Sequence, residues 1–211
     1  MKDTIEVKEK KVRDAFFNWA DPFLISDQLS EEERMISETA ASFANKELSV
    51  RVEKAYNEEI IDEDIFKLMG ETGLLGCTIP EEFGGLGANY VSYGLITREI
   101  EKVDSGYRSM MSVQSSLVMY PISKFGSQSQ KEKYLPKLAS GESVGCFGLT
   151  EANSGSDPAS MTTKAKKVAG GFELNGSKMW ISNAPIADVF VIWAKSEFHE
   201  NKIKGFILSL I

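Results

Sequence analysis

Two polar loops carry the residue types in this chain that are best suited to binding a flat ligand. The first occupies residues 145–157, GCFGLTEANSGSD, where an apolar run gives way to small hydroxyl and amide residues that would let a ligand approach the backbone closely. The second occupies residues 178–183, KMWISN, and offers the aromatic plane of Trp180 beside the hydroxyl of Ser182. These features would suit a flat heteroaromatic cofactor such as a flavin, although most polar loops after strands are plain turns.

A third segment with chemical potential precedes these loops and is predicted to be helical. Arg108, Ser112 and Ser115 are separated by four and three residues, so a helix would place them on one face. The same segment carries an apolar stripe, formed by Met110, Val113 and Leu117. An arginine flanked by small hydroxyls in apolar surroundings can bind a carboxylate through two parallel hydrogen bonds. A lone arginine on a helix is more often simply solvated, and both interpretations stay open.

The first part of the chain is predicted to be a helical region that positions Arg108 and its neighbours. Residues 30–140 have helical periodicity, and a capping box formed by Ser30 and Glu33 predicts where the first helix begins. Further helices are predicted near residues 65–69, 93–102, 107–125 and 127–138. The glycine-rich stretch TIPEEFGGLGANY, residues 78–90, lacks the spacing of a phosphate-binding loop and therefore predicts a tight interhelical connection.

A strand region follows the helices. Strands are predicted at residues 144–150, 162–168, 172–174, 178–181, 189–194 and 206–211. Two glycine-containing pairs, Gly170-Gly171 and Asn175-Gly176, are typical of hairpin turns. The chain stops inside the apolar run FILSLI, and an exposed apolar edge is a feature that natural sheets avoid. We therefore expect the sheet to be incomplete.

These patterns predict an α+β fold, in which an N-terminal all-α helical domain precedes an incomplete antiparallel β domain. The predicted boundaries are residues 1–29 for an N-terminal arm, 30–142 for the helical domain and 143–211 for the β domain.

Composition and charge exclude several classes of protein. A net charge of −7 argues against nucleic-acid binding, and no apolar run approaches the ~20 residues of a membrane span. Cys77 and Cys146 have apolar neighbours, which favours reduced core thiols over a disulfide. The N-terminus has no signal-peptide apolar region and contains acids, so we predict a bacterial cytoplasmic protein or a mature mitochondrial matrix protein. No metal site is predicted.

The strings GCFGLTEANSGSD and KMWISN, in this order, resemble the flavin- and substrate-binding segment of the acyl-CoA dehydrogenases. The resemblance extends along nearly the whole chain from about Trp19, and Ala152 departs from the proline or other loop former that is usual there. It implies FAD as the cofactor, an acyl-CoA substrate, an electron-transferring flavoprotein as electron acceptor, and a homotetramer. The implied reaction removes an α-proton from the thioester and transfers hydride from the β-carbon to FAD.

The resemblance also implies roles for individual residues. The implied cofactor-binding residues are Phe147, Leu149, Thr150, Gly155, Ser156, Trp180, Ile181 and Ser182. The implied substrate-binding residues are Arg108, Ser109, Ser112 and, again, Ser156. The base of the relatives is a glutamate in a C-terminal helical bundle beyond Ile211, so no catalytic residue is assigned in this chain. Glu151 lies inside the motif, but we expect its role to be structural.

The helical segment SGYRSMMS is similar to that of the glutaryl-CoA dehydrogenase subfamily, as are FNWADPFLISDQLSEEE and SVQSSLVM. This similarity implies that the matching arginine and serines meet the free carboxylate of glutaryl-CoA, which is oxidised and decarboxylated to crotonyl-CoA and CO2. Tyr120 departs from the histidine that is common at that position.

Three alternatives to this hypothesis stay open. The first is a general short-chain acyl-CoA dehydrogenase, and the second is a catalytically silent fragment that binds flavin or CoA. The third is a helical interaction module, which agrees least with the β-region motifs. Because part of the FAD site in relatives comes from the C-terminal bundle, we expect the chain alone to retain FAD poorly.

Overall fold

The computed structural model describes residues 17–62 and 64–209, which form a helical region followed by a five-stranded sheet. This arrangement confirms the predicted α+β class. Most of the predicted N-terminal arm (1–16) and the last two residues of the final predicted strand lie outside the described residues. Within the described part of the arm, the aromatic side chains of Phe17, Trp19 and Phe23 are exposed.

The helices are α1 (Ile25–Gln28), α2 (Glu31–Phe43), α3 (Val52–Glu58), α4 (Ile65–Glu71), α5 (Tyr90–Glu101), α6 (Ser105–Ser112), α7 (Tyr120–Phe125) and α8 (Gln128–Ala139). The predicted capping box is present at the start of α2, since Ser30 Oγ accepts from the Glu33 amide and Glu33 accepts from the Ser30 amide. The helices predicted at residues 65–69, 93–102 and 127–138 are confirmed as α4, α5 and α8, while α1 and α3 are additional.

The predicted helix over residues 107–125 is interrupted. Between α6 and α7 the chain forms a π-helical segment, Val113–Met119, in which the backbone is wound more loosely than in an α-helix. Pro121, the second residue of α7, has no N–H, so it cannot close an α-helical turn onto the segment before it. A second π-helical segment, Ala44–Leu48, extends α2.

The glycine-rich stretch is a tight interhelical loop, as predicted. It contains a 3₁₀ turn, Glu81–Phe83, and its backbone folds back so closely that a Cβ added at Gly85 would lie 2.0 Å from the Ile79 carbonyl oxygen. Only glycine permits this approach. The loop leads into α5, where the Asn89 side chain accepts from the Ser92 amide and caps the helix.

The strands are β1 (Gly145–Gly148), β2 (Lys164–Val168), β3 (Gly171–Asn175), β4 (Val189–Ser196) and β5 (Lys202–Ser209). β4 is the organising strand, because β1, β2 and β5 all pair with it. The β2–β3 and β4–β5 pairs are antiparallel as predicted, but β1 and β2 run parallel to β4, so the sheet is mixed. Connections that cross between distant strands produce these parallel pairs, and local hairpin signals do not reveal them.

The hairpin prediction is correct at Gly170-Gly171 and wrong at Asn175-Gly176. Gly170 has φ +85° and joins β2 to β3. β3 ends at Asn175, however, and no strand follows at residues 178–181, so the strand predicted there is wrong. Its apolar residues belong instead to a loop that side chains fasten to neighbouring segments.

The helical region and the sheet are joined through a buried glutamine. Gln114 Nε2 donates to the carbonyls of Leu138 (2.9 Å) and Ser143 (2.8 Å), and Gln114 Oε1 accepts from the Gly145 amide (2.7 Å). A Cβ added at Gly145 would lie 2.6 Å from Val118 Cγ1, so glycine allows β1 to lie directly against the π segment. The candidate segments on either side of this junction are therefore held at a fixed spacing.

Candidate active site

The first motif forms strand β1 and then a tight turn. Two backbone hydrogen bonds between Glu151 and Ser154, 3.0 and 3.1 Å long, close the turn. Ala152 occupies an exposed position within it, so these two bonds fix the turn without a proline. Beyond the turn, the Ser154 hydroxyl donates to the Asp157 carbonyl (2.8 Å) and holds the rest of the loop.

Glu151 is the most heavily hydrogen-bonded side chain in this region. Its carboxylate accepts from the amides and hydroxyls of Thr162 and Thr163, at 2.5 to 2.9 Å, and from Lys178 Nζ at 2.9 Å. Burial by itself would raise the pKa of Glu151, but the threonine and lysine hydrogen bonds outweigh it and hold that pKa far below its usual value. A carboxylate so stabilised is a poor general base, which supports the structural role predicted for it.

The second motif is a loop fastened at both ends. At its start Lys178 Nζ also donates to the Leu149 carbonyl (3.0 Å), and the Met179 amide donates to the Thr150 carbonyl (2.9 Å). At its end the Asn183 amide group donates to the carbonyls of Gly145 (3.1 Å) and Met110 (3.3 Å). We call residues 178–183 the tethered loop. It brings the predicted residues Trp180, Ile181 and Ser182 alongside Leu149 and Thr150.

Trp180 is the exposed centre of the tethered loop. Its φ is +60°, a conformation that costs a bulky residue of order 1 kcal/mol or more. Its side chain is 86% exposed, although tryptophan has the largest apolar surface of any residue. The hydrogen bonds on either side therefore maintain an outward-facing indole that its own energetics disfavour.

The remaining predicted cofactor residues occupy different surroundings. Phe147 is partly buried in β1 and packs edge-on against the Trp193 ring, with centroids 5.9 Å apart. Gly155 and Ser156 lie exposed on the outer side of the first loop. Among the described residues, no hydrogen bond joins any of these three to the tethered loop, whereas Thr150 accepts from the Met179 amide.

A polar cavity of about 160 Å³ separates the two loops. It is lined by residues from three separate segments, which are Glu151, Ala152, Asn153, Ser154, Ser160, Thr162, Ser177 and Met179. None of these eight residues is in the predicted site, so the predicted residues border the cavity without lining it. Its three segments come together through the Glu151 hydrogen bonds, which the sequence does not reveal.

Arg108 and Ser112 both face helix α5. Arg108 Nε donates to Glu101 at 2.5 Å, and the Ser112 and Tyr93 hydroxyls are 2.7 Å apart. The Arg108 side chain is 36% exposed, and its terminal amino groups donate no hydrogen bond to any described residue. Ser109 is partly buried beside it.

Ser115 does not join this pair. Its hydroxyl is buried and accepts from the Gly76 amide at 2.9 Å, so it stabilises the loop before α5. A cavity of about 130 Å³ lies next to Tyr93 and is lined entirely by hydroxyl-bearing residues, which are Thr78, Tyr90, Tyr93, Ser115, Ser116 and Tyr120. Neither Glu101 nor Tyr93 was predicted, and Glu101 is signalled only by its seven-residue separation from Arg108.

A larger groove lies elsewhere. It measures about 520 Å³, is open to solvent, and runs along α2 and its π extension between Met35 and Glu47. No residue of either loop or of α6 lines it, so we do not assign it to the candidate site.

The two cysteines are buried thiols. Desolvation raises the pKa of both Cys77 and Cys146 to about 11, so both are protonated and unreactive at neutral pH.

Across residues 17–62 and 64–209, no group of three or more His, Cys, Asp or Glu side chains is arranged to bind a metal ion. None of the described helices has the length and apolar character needed to span a membrane.

Comparisons with known proteins agree with this geometry. Residues 30–142 match the sequence profile of the N-terminal domain of acyl-CoA dehydrogenases, and residues 146–210 match that of the middle domain. The mitochondrial isovaleryl-CoA dehydrogenase of Solanum tuberosum is 37% identical over 177 residues, which cover 83% of this chain and 43% of that protein.

Solved structures show the same similarity. A glutaryl-CoA dehydrogenase of Mycobacterium smegmatis in complex with FADH2 superposes with a TM-score of 0.84 at 41% identity, covering 89% of this chain and 47% of that one. A chain in a structure of the electron transferring flavoprotein of Acidaminococcus fermentans superposes with a TM-score of 0.82 at 40% identity, covering 86% and 48%. The chain spans about half the length of the relatives it matches. It belongs to the acyl-CoA dehydrogenase family, of which it contains the N-terminal and middle domains.

Proposed function

We propose that this chain supplies the flavin-facing and acyl-facing walls of an FAD-dependent acyl-CoA dehydrogenase whose substrate is glutaryl-CoA. The observation that carries the proposal is the tethered loop, which maintains an exposed Trp180 beside Thr150 at an energetic cost. Backbone strain and an exposed aromatic surface are unfavourable in the free protein, and a flat ligand that covers the indole would offset that cost.

The residues of the tethered loop fit a flavin. Fully burying a large aromatic side chain is worth about 2–3 kcal/mol, so a planar ligand that covers Trp180 recovers this free energy. Hydrogen bonds from Lys178 and Met179 bring Leu149 and Thr150 next to the tethered loop. Together with Ser182 they offer backbone groups and hydroxyls for the polar edges of an isoalloxazine ring. The M. smegmatis neighbour, whose bound ligand is FADH2, supports the same choice.

Within this proposal, FAD supplies the hydride acceptor for oxidation of the β-carbon. The chain's own residues bind and orient the reactants: Trp180 covers one face of the site and excludes water, and Thr150 and Ser182 fix the polar edge. Glu151 keeps the two loops in register and takes no part in proton transfer, because its lone pairs are already engaged. We propose that the base which removes the α-proton lies outside this chain.

Arg108 is the residue on which the choice of glutaryl-CoA depends. Its Nε donates to Glu101, and its terminal amino groups donate no hydrogen bond to the described residues. A guanidinium held in this way can donate two parallel hydrogen bonds to a distal carboxylate. Subsequent decarboxylation to crotonyl-CoA and CO2 would require that carboxylate to be oriented, which is the role we propose for Arg108 together with Ser109 and Ser112.

A neutral short-chain acyl group is the second candidate. The isovaleryl-CoA dehydrogenase relative favours it, and so does the partial exposure of Arg108, which also suits an ordinary surface ion pair with Glu101. A neutral acyl chain would gain nothing from the guanidinium, so the two candidates differ in what they require of Arg108.

The substitution Arg108→Ala separates the candidates in the protein as its gene encodes it. Loss of a charged, two-pronged contact should lower kcat/KM for glutaryl-CoA about 100-fold and leave kcat/KM for butyryl-CoA within about twofold. Arg98→Ala is a matched control, since Arg98 is a partly exposed arginine of α5 paired with Glu99. Equal losses on both thioesters would contradict the glutaryl-CoA assignment.

The partners and the compartment remain proposals. We propose an electron-transferring flavoprotein as electron acceptor, and the A. fermentans chain supports an association with flavin-based electron transfer. A homotetramer and a location in the bacterial cytoplasm or the mitochondrial matrix stay predictions from the sequence.

A further inference from the structure

Asn183, the last residue of the tethered loop, combines three unfavourable features. Its φ is +67°, which a residue with a side chain adopts at a cost, although asparagine tolerates it better than most. It is only 5% exposed, and its Oδ1 is buried without a hydrogen-bond partner among the described residues. A buried acceptor left unpaired is destabilising. The orientation of the amide group is therefore maintained by other contacts of this side chain.

The amide orientation is set by two hydrogen bonds to different parts of the fold. Asn183 Nδ2 donates to the Gly145 carbonyl at 3.1 Å and to the Met110 carbonyl at 3.3 Å. Gly145 is the first residue of β1, and Met110 lies in α6, two residues after Arg108. One side chain thus joins the start of the first motif, the end of the tethered loop and the helix that carries Arg108.

The Met110 carbonyl lies where the helical winding changes, three residues before the start of the π segment. Ser112 is the last α-helical residue, and the Val113 amide at the start of the π segment is shared between the Met110 and Ser109 carbonyls. A carbonyl oxygen has two lone pairs, so the Met110 carbonyl accepts from Asn183 as well as from Val113. The hydrogen bond from Asn183 to Met110 therefore joins a residue with a left-handed backbone to the helix end at which the π segment begins.

We propose that Asn183 is a positioning residue that holds Trp180 and Ser182 at a fixed distance from Arg108 and Ser109. This inference rests on the proposed function, in which the first pair faces the flavin and the second faces the acyl group. Hydride transfer requires the two reactants to be closely aligned, so a link between their binding segments acts on the bound geometry rather than on affinity. Asn183 itself contacts neither reactant.

The first test uses hydrogen exchange of the flavin-free protein. Asn183→Gly keeps the backbone freedom and removes both donated bonds, and Asn183→Asp keeps the size and places an oxygen against two carbonyls. Each should speed exchange about tenfold in two peptides, residues 178–187 and 109–114. Asn201→Gly is the matched control, because Asn201 also has a left-handed φ (+59°) but is exposed. Faster exchange confined to residues 178–187 in both Asn183 variants would overturn the proposed link to α6.

The second test adds FAD and follows the same peptides. Wild type and Asn201→Gly should show FAD-dependent protection of residues 109–114, and Asn183→Gly, saturated with FAD as judged from flavin absorbance, should lose that protection. In turnover, Asn183→Gly should lower kcat about tenfold with KM changed less than about twofold. Equal FAD-dependent protection in Asn183→Gly would overturn the inference. If wild type binds no FAD, the proposed function fails, and the flavin-free exchange still decides whether Asn183 links the segments.

Discussion

Two oppositely charged pairs in this protein show how the surroundings of a side chain decide its role. Lys178–Glu151 is buried, and the Glu151 carboxylate accepts five hydrogen bonds from three residues. Arg108–Glu101 is partly exposed and rests on a single hydrogen bond from Nε. The first pair has no remaining acceptor for a ligand, whereas in the second the terminal amino groups of Arg108 are not engaged by any residue that the structure describes.

The comparison teaches that a charged residue inside a binding motif is not necessarily part of the chemistry. Glu151 lies in the middle of the motif, yet its bonds to Thr162, Thr163 and Lys178 join three segments and make it a structural clamp. Arg108 lies outside both motif loops, and its terminal amino groups donate to none of the residues in the described ranges. Saturation of hydrogen-bonding capacity separates the two roles more clearly than position in the sequence does.

The largest expected effect comes from breaking the buried pair. Glu151→Ala leaves Lys178 buried without its counter-ion and two threonines without their acceptor, which should lower the free energy of unfolding by about 3–5 kcal/mol. Urea unfolding followed by circular dichroism measures this change. Arg108→Ala is the control and should cost less than about 1 kcal/mol, since its pair is partly exposed. Similar losses in the two variants would remove the distinction between the pairs.

The pH dependence of stability sharpens the same comparison. The folded-state pKa of Glu151 is lowered, so the stability it contributes is fully present above its unfolded value, near 4.5, and is lost as pH falls below that value. Below about pH 4, wild type should lose about 1.4 kcal/mol per pH unit more than Glu151→Gln does. Other acids titrate in both proteins and cancel in the difference. Parallel stability curves between pH 6 and pH 3 would contradict the clamp.

Much of the fold follows from local sequence patterns. The α2 capping box, helices α4, α5 and α8, the interhelical glycine loop and the Gly170-Gly171 hairpin depend on neighbouring residues, and periodicity and turn chemistry predict them. The parallel pairing of β1 and β2 with β4 depends on contacts far apart in sequence, which local patterns do not contain.

The site is less predictable than the fold for the same reason. The apolar run at residues 178–181 has the composition of a strand, but hydrogen bonds from its neighbours to Met110 and Gly145, tens of residues away, hold it as a loop. The face shared by Arg108 and Ser112 is consistent with helical spacing, whereas Ser115 lies in the π segment and turns to Gly76. Tyr93 contacts Ser112, and Glu101 contacts Arg108, only because α5 packs against α6.

We propose that the tethered loop presents Trp180 to a flavin, and substitution of two equally exposed tryptophans tests this proposal. Trp180 and Trp19 are 86% and 87% exposed, but only Trp180 lies in the tethered loop. In FAD titrations of the protein as its gene encodes it, Trp180→Ala should raise the Kd about tenfold or more, and Trp19→Ala should leave it unchanged. An unchanged Kd in Trp180→Ala, or an equal rise in both variants, would contradict a flavin site at Trp180.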